Sequence, residues 1–551
     1  MRRGMRAVAG VGLLLGVLLS GCVAIPTSGD VQTVPLDVDP DELTPIFLPE
    51  SPVDGMTQVD ILRGFIRAGR GPQNDYEVAR EYLAPGFADE WSGTAQVLIS
   101  STPIEPVAVD DVTLSISVSV SAEVDATGRY TTVSSQQARA YGFALVDGEW
   151  RIASAPPGIV LTPNGFELAF AEYPLYFYDP SFRFLVPDAR WFPVTRTAAR
   201  RLVAELLAGP APWLGSGVLV SAFPAGVSGA ASYDAPQVDV ELGGAVRTES
   251  ALAQRRMLWQ LETTIRGAFG NVTEIAVTAD GLPLAPAADE GGPENLYSVR
   301  EVFGGFGGTL GTLGTDGVTP LPTIGARADP LQATAASLGR LRTSLAALGP
   351  AGVSYVGPTG DPVPVDTRAG LVAPSLDPHG YVWSVPADDP DGLVATSPDD
   401  LVPHPIALDA DGTVVTIQVS RDGARLLVVL TTEQGPRVFV AGILRDADLV
   451  PLALSTPYEL PVTGTVLDGA WVDGERIAVL LSRPAGARVE VLALGGPGER
   501  IDGAGDAVEL VGGSSVDGIR VLTTDGVVLR PSSAGIWVDT GLAASFLGTQ
   551  Q

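Results

Sequence analysis

Beyond residue 390 the chain carries eight Asp-Gly pairs, with the aspartate at 391, 411, 422, 468, 473, 502, 517 and 525. An Asp-Gly pair supplies the left-handed backbone that a tight hairpin turn requires. A chain that turns this often cannot hold long helices, so the pairs restrict the C-terminal part to short strands. The intervening runs agree: Val414 to Val419, Leu426 to Leu430, Val438 to Val440, Ile477 to Leu481, Val489 to Leu492, Ile519 to Leu522 and Val527 to Leu529 are short and apolar. A loose repeat joins them. Ser375-Leu376-Asp377-Pro378-His379-Gly380 precedes Tyr381-Val382-Trp383, Ser420-Arg421-Asp422-Gly423 follows 45 residues later, and Trp471-Val472-Asp473-Gly474 after 51 more. Propeller blades are about 40–50 residues long. Residues 286–551 therefore read as an all-β domain, a β-propeller, with a β-sandwich as the alternative. Two stretches fit less well. Leu331 to Leu348 has helical spacing, and the Gly-rich stretch Gly304 to Gly314 blurs where the first blade begins, with Gly305-Phe306-Gly307 in it reading as a flexible loop.

The preceding half is mixed. In residues 56–165, Val59, Leu62, Phe65 and Ile66 recur at helical spacing, and Tyr76, Ala79, Tyr82 and Leu83 predict a second helix that Pro85 and Gly86 stop. Val112 to Val120 alternates apolar residues with serine, the pattern of a half-buried strand. Tyr141 to Val146, Asp147-Gly148 and Trp150 to Ile152 predict a hairpin. This is an α+β domain whose helices and meander resemble nuclear-transport-factor-2-like folds, which often enclose a pocket. Residues 170–285 form an α/β unit. Strands are expected at Leu175 to Tyr178, Phe184 to Val186, Val238 to Leu242 and Ile275 to Val277. One helix, capped by Thr195 or Thr197, carries Leu202, Val203, Leu206 and Leu207 and ends at Gly209-Pro210; another begins at Ser250 and carries Leu258, Leu261, Ile265 and Phe269. Leu206-Leu207-Ala208-Gly209-Pro210 with Ala222-Phe223-Pro224-Ala225-Gly226 resembles the GerM-type domain, a binding or assembly module.

The N-terminus predicts export. Arg2, Arg3 and Arg6 precede the uncharged apolar run Ala7 to Leu19, then Ser20, Gly21 and Cys22. That is the layout of a signal peptide over residues 1–21, shorter than the roughly 20 apolar residues a membrane span needs. Leu19-Ser20-Gly21-Cys22 resembles a bacterial lipobox, which makes Cys22, the single cysteine, the lipid attachment site. Diacylglycerol on its sulfur and palmitate on the new N-terminus are what such a box implies, and more than one acyl chain is what stable anchoring takes. Residues 22–55 then form an extended tether, with prolines at 26, 35, 40, 45, 49 and 52 among Asp30, Asp37, Asp39, Asp41 and Glu42. The expected location is the extracytoplasmic face of the cell membrane.

Chemistry is bounded by what the sequence lacks. No lysine is present, so Walker A phosphate loops and Schiff bases are excluded. One cysteine excludes a thiolate zinc site, and His379 and His404, the only histidines, cannot form HExxH. Gly305-Phe306-Gly307 begins a G-x-G, but Leu310 stands where the third glycine belongs. His379 and His404 read as surface turn residues, and the acid pairs Asp110-Asp111 and Asp399-Asp400 as solvated loops. No cofactor, metal or catalytic residue is expected, and the chain reads as a non-enzyme. The net charge of −30 opposes nucleic acid and anionic lipid and favours a basic protein face.

The lipobox, Ile25-Pro26-Thr27-Ser28-Gly29 after it, a GerM-type domain and a C-terminal propeller together resemble the LpqB lipoproteins of actinobacteria. Arginine without lysine fits a GC-rich genome of that kind. The resemblance implies an accessory regulator that contacts the extracellular domain of a sensor histidine kinase, MtrB, in envelope homeostasis and cell division. The alternatives are a binder of cell-wall glycan or a small ligand and, behind it, a glycan hydrolase using two acids.

Overall fold

A computed structural model describes residues 49–215, 217–286, 291–294, 302–314, 317–533 and 535–550. The signal peptide, Cys22 and the tether before residue 49 lie outside the described residues.

The first unit packs three helices on a six-stranded sheet. Helix α1 (Gln58–Ala68) starts at a capping box: Thr57 Oγ1 accepts the Asp60 amide and Asp60 accepts the Thr57 amide, so two N–H groups that the first turn leaves orphaned are satisfied. It buries Ile61, Leu62, Phe65 and Ala68. The second expected helix is shorter than its periodicity suggested. Tyr76 is left-handed at φ 62°, and α2 covers only Glu77–Glu81. Pro85 does not end that helix; it opens α3 (Pro85–Glu90), because proline at the first helical position loses no hydrogen bond. Strands β1 (Gln96–Ser100), β2 (Val107–Asp110), β3 (Thr113–Asp125), β4 (Tyr130–Val146), β5 (Glu149–Ser154) and β6 (Ile159–Leu161) follow, ordered β5-β4-β3-β1-β6 with β2 beside the start of β3. The β4–β5 turn is Asp147-Gly148, at φ 51° and 85°. The interior is filled: Phe65 stands edge-on to Trp91 at 5.2 Å and to Tyr141 at 6.2 Å.

After α4 (Pro163–Ala169), β7 (Phe170–Tyr178) and β8 (Leu185–Pro193) form an antiparallel ribbon. Helix α5 (Ala198–Ala208) buries Leu202, Val203 and Leu206 and ends at Gly209, φ 104°. Strands β9 (Ser228–Asp234) and β10 (Gln237–Gly243) form a hairpin. Helix α6 (Ala251–Ala268), capped by Ser250, crosses to β11 (Glu274–Ala279), which runs parallel to β10; β12 (Leu282–Pro283) completes the sheet. The β9 strand was not legible, since its alternation is of half-buried and exposed residues without large apolar ones.

From Val302 onward the described residues form six sheets of four strands each, except the fourth, which has a fifth strand at Tyr458–Leu460. Sheets two to six begin at Ala335, Ser375, Thr413, Thr465 and Ala507. Strand Trp537–Gln550 serves two of them. Its first half is the outer strand of the sixth sheet, paired with Val527–Pro531; its second half pairs with Val302–Phe306 in the first. The end of the chain thus closes the ring on its beginning, a β-propeller, and the sandwich alternative is set aside.

Two expectations are corrected here. Leu331 to Leu348 is not helical: Ala335–Leu338 and Leu345–Gly349 are strands with Leu338 opposite Leu345, so the seven-residue spacing of two buried leucines reflects a hairpin. Gly305-Phe306-Gly307 is not a flexible loop: the Gly-rich stretch forms the first hairpin of the closing sheet, Val302–Phe306 against Thr309–Gly314. A Cβ on Gly304 would stand 2.6 Å from Phe546 O, and one on Gly311 2.7 Å from Val318 Cγ1. Glycine is used here for close strand approach.

Candidate functional site

The turns that join the two innermost strands of successive blades are each organised by an aspartate in the third, fourth and fifth blades. Asp377 Oδ1 accepts the amides of His379 (3.0 Å) and Tyr381 (2.9 Å), and its Oδ2 accepts Trp383 Nε1 (3.0 Å) and Arg445 Nη2 (2.7 Å). Asp422 Oδ1 accepts Ser420 Oγ and the Ala424 amide; its Oδ2 meets Arg425 Nη2 at 2.5 Å. Arg425 also donates to Gly474 O in the next blade at 2.6 Å. Asp473 accepts the Glu475 and Arg476 amides and Arg476 Nε. These aspartates, two of them in Asp-Gly pairs, are spent on organising turns, and Asp377 and the Asp422–Arg425 pair also tie neighbouring blades together.

The α/β unit lies against these turns. Arg183, in the β7–β8 turn, donates to Pro378 O at 3.3 Å and pairs with Glu294, which Arg340 also meets. That turn is ordered by Asp179, whose carboxylate accepts the amides of Ser181, Arg183 and Phe184. Phe184 faces His379 at 6.2 Å, Trp213 faces Tyr458 at 5.3 Å, and Ala424 is part of the unit's own apolar core. Within β8, Asp188 and Arg190 form a buried ion pair, and Asp188 also accepts the Ala211 amide at 2.7 Å.

All three parts meet at Trp191 of β8. Its amide donates to Gly128 O at 2.7 Å, and its ring lies 4.9 Å from Phe166 and 6.1 Å from Tyr130 of the first unit. Its indole donates to Gly495 O of the fifth blade at 2.7 Å. A cleft of about 390 Å³ opens beside this junction, between Thr132 and the segment Glu490–Arg500. Three arginines, Arg483, Arg488 and Arg500, stand 3.5–3.8 Å from Glu490 in it.

Several carboxylates sit where burial opposes ionisation. Asp468, on the inner strand of the fifth blade, accepts Thr416 Oγ1 (2.6 Å) from the blade before and the Leu510 amide (2.8 Å) from the blade after. Burial pushes it up to about 6 despite those bonds, and pushes Glu509 to about 7. Glu475, at the covered face, is raised to about 8, first by burial and then by Glu172 and Asp473. Its Oε1 is buried without a hydrogen-bond partner.

His379 is in the expected turn but is half-buried under Phe184, and burial holds its imidazole below the usual value. The free surface position expected for it is corrected accordingly. His404 lies on the outermost strand of its blade, against Tyr381 at 5.9 Å. Asp399-Asp400 is exposed in a turn, as expected, whereas Asp110, read as a loop residue, is the last residue of β2 and Asp111 begins the turn after it, both exposed; Asp110 accepts the Val112 amide and Asp400 that of Val402. Gly305 and Gly307 belong to the closing hairpin, not to a phosphate loop. Among the described residues no group of three or more His, Cys, Asp or Glu side chains could hold a metal ion. None of their helices is long and apolar enough to cross a membrane. Sequence reasoning missed Trp191, Asp188 and Arg190; the one available signal was two opposite charges two residues apart in an otherwise apolar strand.

Fold and junction define a multidomain protein: an N-terminal α/β region, then a GerM-type module docked on a β-propeller. Three families match in succession. "Lipoprotein LpqB, N-terminal domain" matches residues 51–167, "Sporulation and spore germination" residues 174–285, and "Lipoprotein LpqB beta-propeller domain" residues 308–544. The chain belongs to the LpqB lipoprotein family. It is 30% identical over 280 residues to Lipoprotein LpqB of Cutibacterium acnes, covering 50% of this chain and 47% of that protein. It is 26% identical to those of Mycobacterium bovis, covering 85% of each chain, and of Thermobifida fusca, covering 88% and 89%. Among solved structures, TolB from Acinetobacter baumannii aligns at 14% identity and TM-score 0.34, covering 59% of this chain and 82% of that one.

Proposed function

We propose that this protein is a lipid-anchored accessory regulator on the extracytoplasmic face of the cell membrane, held there through Cys22. It acts by contact with the extracellular domain of a sensor histidine kinase of the MtrB type, in envelope homeostasis and division. The observation that carries this reading is the run of family matches over nearly all of residues 51–544, in register with a lipobox at Cys22. The structure supports binding over catalysis in one respect: the aspartates of the repeated turns are engaged by main-chain amides and arginines. The acidic surface adds a charge preference. Association with a basic sensor face is steered at low ionic strength and weakens as salt is added.

The test is a pull-down from detergent-solubilised membranes with the lipidated chain as bait and Cys22→Ala as control. Recovery of a sensor kinase supports the reading, and recovery by the soluble form too assigns the contact to the folded domains. Recovery of no membrane protein by either form overturns it. Binding of glycan fragments or small ligands at the cleft beside Trp191 is then the next measurement.

A further inference from the structure

The sheet of the first unit leaves one edge open. Strand β2 pairs with β3, through Val107–Ser115, Ala108–Leu114 and Asp110–Thr113, and with no other described strand. All four of its residues are exposed. Val107 and Val109 are each 63% exposed, and the pairing register shifts between Ala108 and Asp110, which leaves Val109 at a bulge without a partner in β3. An open edge presents unpaired N–H and C=O groups, and natural sheets usually blunt such an edge with charge or proline. Here the strand is short and bulged, follows Pro106 and is flanked by Glu105, Asp110 and Asp111, and two exposed valines remain between those guards.

The surroundings are acidic. Glu105, Asp110 and Asp111 lie at or beside the strand and are exposed, and Arg63 is paired with Glu105 at 2.8 Å; in the adjoining groove Asp54 and Asp60 stand with Arg63 and Arg67. A groove of about 640 Å³ continues from Ile104 between α1 and the segment Val53–Met56.

We propose that β2 is a docking edge for an extended segment of a protein partner, one that alternates apolar and basic residues and joins the sheet as an added strand. That the occupant is a protein rests on the adaptor reading above; its charge and shape rest on the edge itself. Main-chain hydrogen bonds to the edge supply affinity, and side chains on one face supply selectivity. The chain's own tether is a poor occupant, because prolines at 26, 35, 40 and 45 lack the amide a ladder needs and its acids match the edge in sign. A second copy would bring Glu105, Asp110 and Asp111 against their own counterparts.

The experiment measures fluorescence anisotropy of a labelled eight-residue peptide of alternating Arg and Val, titrated with the full mature chain. Val107→Arg with Val109→Arg is expected to weaken binding by tenfold or more, and Asp110→Asn with Asp111→Asn by roughly threefold to tenfold. All four positions are exposed, so the variants should fold, and circular dichroism checks this. Equal affinity for wild type and both variants would overturn the proposal. So would equal binding of a peptide with proline at alternate positions, or protection of residues 107–110 from hydrogen exchange by phosphatidylcholine vesicles as strong as that by the peptide. Protection in the free protein that disappears when residues 23–48 are deleted would assign the edge to the tether and overturn it too. The outcome is separable from the sensor pull-down. Edge-dependent peptide binding with no kinase recovered sinks the kinase reading and keeps the edge; kinase recovery unaffected by the double arginine variant does the reverse.

Discussion

The indole N–H of Trp191 donates to the carbonyl of Gly495 at 2.7 Å, across 304 residues of sequence. The same ring packs on Tyr130 and Phe166. One side chain therefore joins the N-terminal domain, the GerM-type module and the fifth propeller blade, and its substitution is the most direct probe of how firmly these parts are coupled.

Trp191→Phe keeps an aromatic ring but leaves the buried Gly495 carbonyl without its donor. The expected cost is about 1–3 kcal/mol. It should appear as faster hydrogen exchange in Gly495–Arg500 and in β8, with the blade strands Arg476–Ser482 unaffected. Exchange in those segments that is the same in Trp191→Phe as in the wild type would remove Trp191 from the coupling.

Asp377 and Arg445 tie the third blade to the fourth inside the protein, with side chains 0% and 2% exposed. Removing one charge strands the other, at about 3–5 kcal/mol, whereas an apolar pair of similar volume is often neutral. Arg445→Ala should lower the urea midpoint markedly. Asp377→Leu with Arg445→Met should recover most of the loss, although Asp377 also orders its own turn, so the recovery will be incomplete.

Glu475 makes the covered face pH-sensitive. Its carboxyl is pushed up to about 8 from 4.5, so the folded state holds a proton that the unfolded state releases. Glu172 and Asp473 favour that proton, while Arg425 and Arg476 oppose it. A raised acid contributes stability that is complete below about 4.5 and is lost as pH rises towards 8. The slope is at most about 1.4 kcal/mol per pH unit for one proton. Denaturant midpoints measured from pH 5 to 8 should fall in the wild type and fall less steeply in Glu475→Gln, the remaining slope coming from Asp468 and Glu509, which burial also raises.

Gly548 lets the closing strand meet the second blade. A Cβ there would stand 2.2 Å from Ala336 O. Gly548→Ala should cost about 1–3 kcal/mol through forced backbone displacement, read as a lower Tm. Gly86→Ala is the control, since nothing lies within 4 Å of its added Cβ and it sits in a helix, where alanine is favoured.

How far the sequence could be read depended on range. Helix α1 and the β4–β5 hairpin were legible because periodicity, caps and an Asp-Gly turn act within a few residues. The amphipathic face of α6 and the β10 alternation were legible for the same reason, and so was the all-β character of the second half. The leucines at 338 and 345 were misread, since two residues facing each other across a hairpin mimic a helical repeat when only spacing is seen. The stretch around Gly305-Phe306-Gly307 was misread because what its glycines at 304 and 311 avoid, Phe546 and Val318, is not beside them in sequence.

The sequence by itself determined the kinds of element, their order, and the family the chain joins, because composition, turn chemistry and domain order are properties of the chain alone. Tertiary structure decided that the described residues form six blades, that Trp537–Gln550 closes the first of them, that Asp377 answers Arg445, and that no other described strand covers β2. Each of those facts pairs residues far apart in the chain or depends on what lies beside them in space. Such pairings are selected by the burial and hydrogen bonding of the whole assembly, which no local pattern encodes.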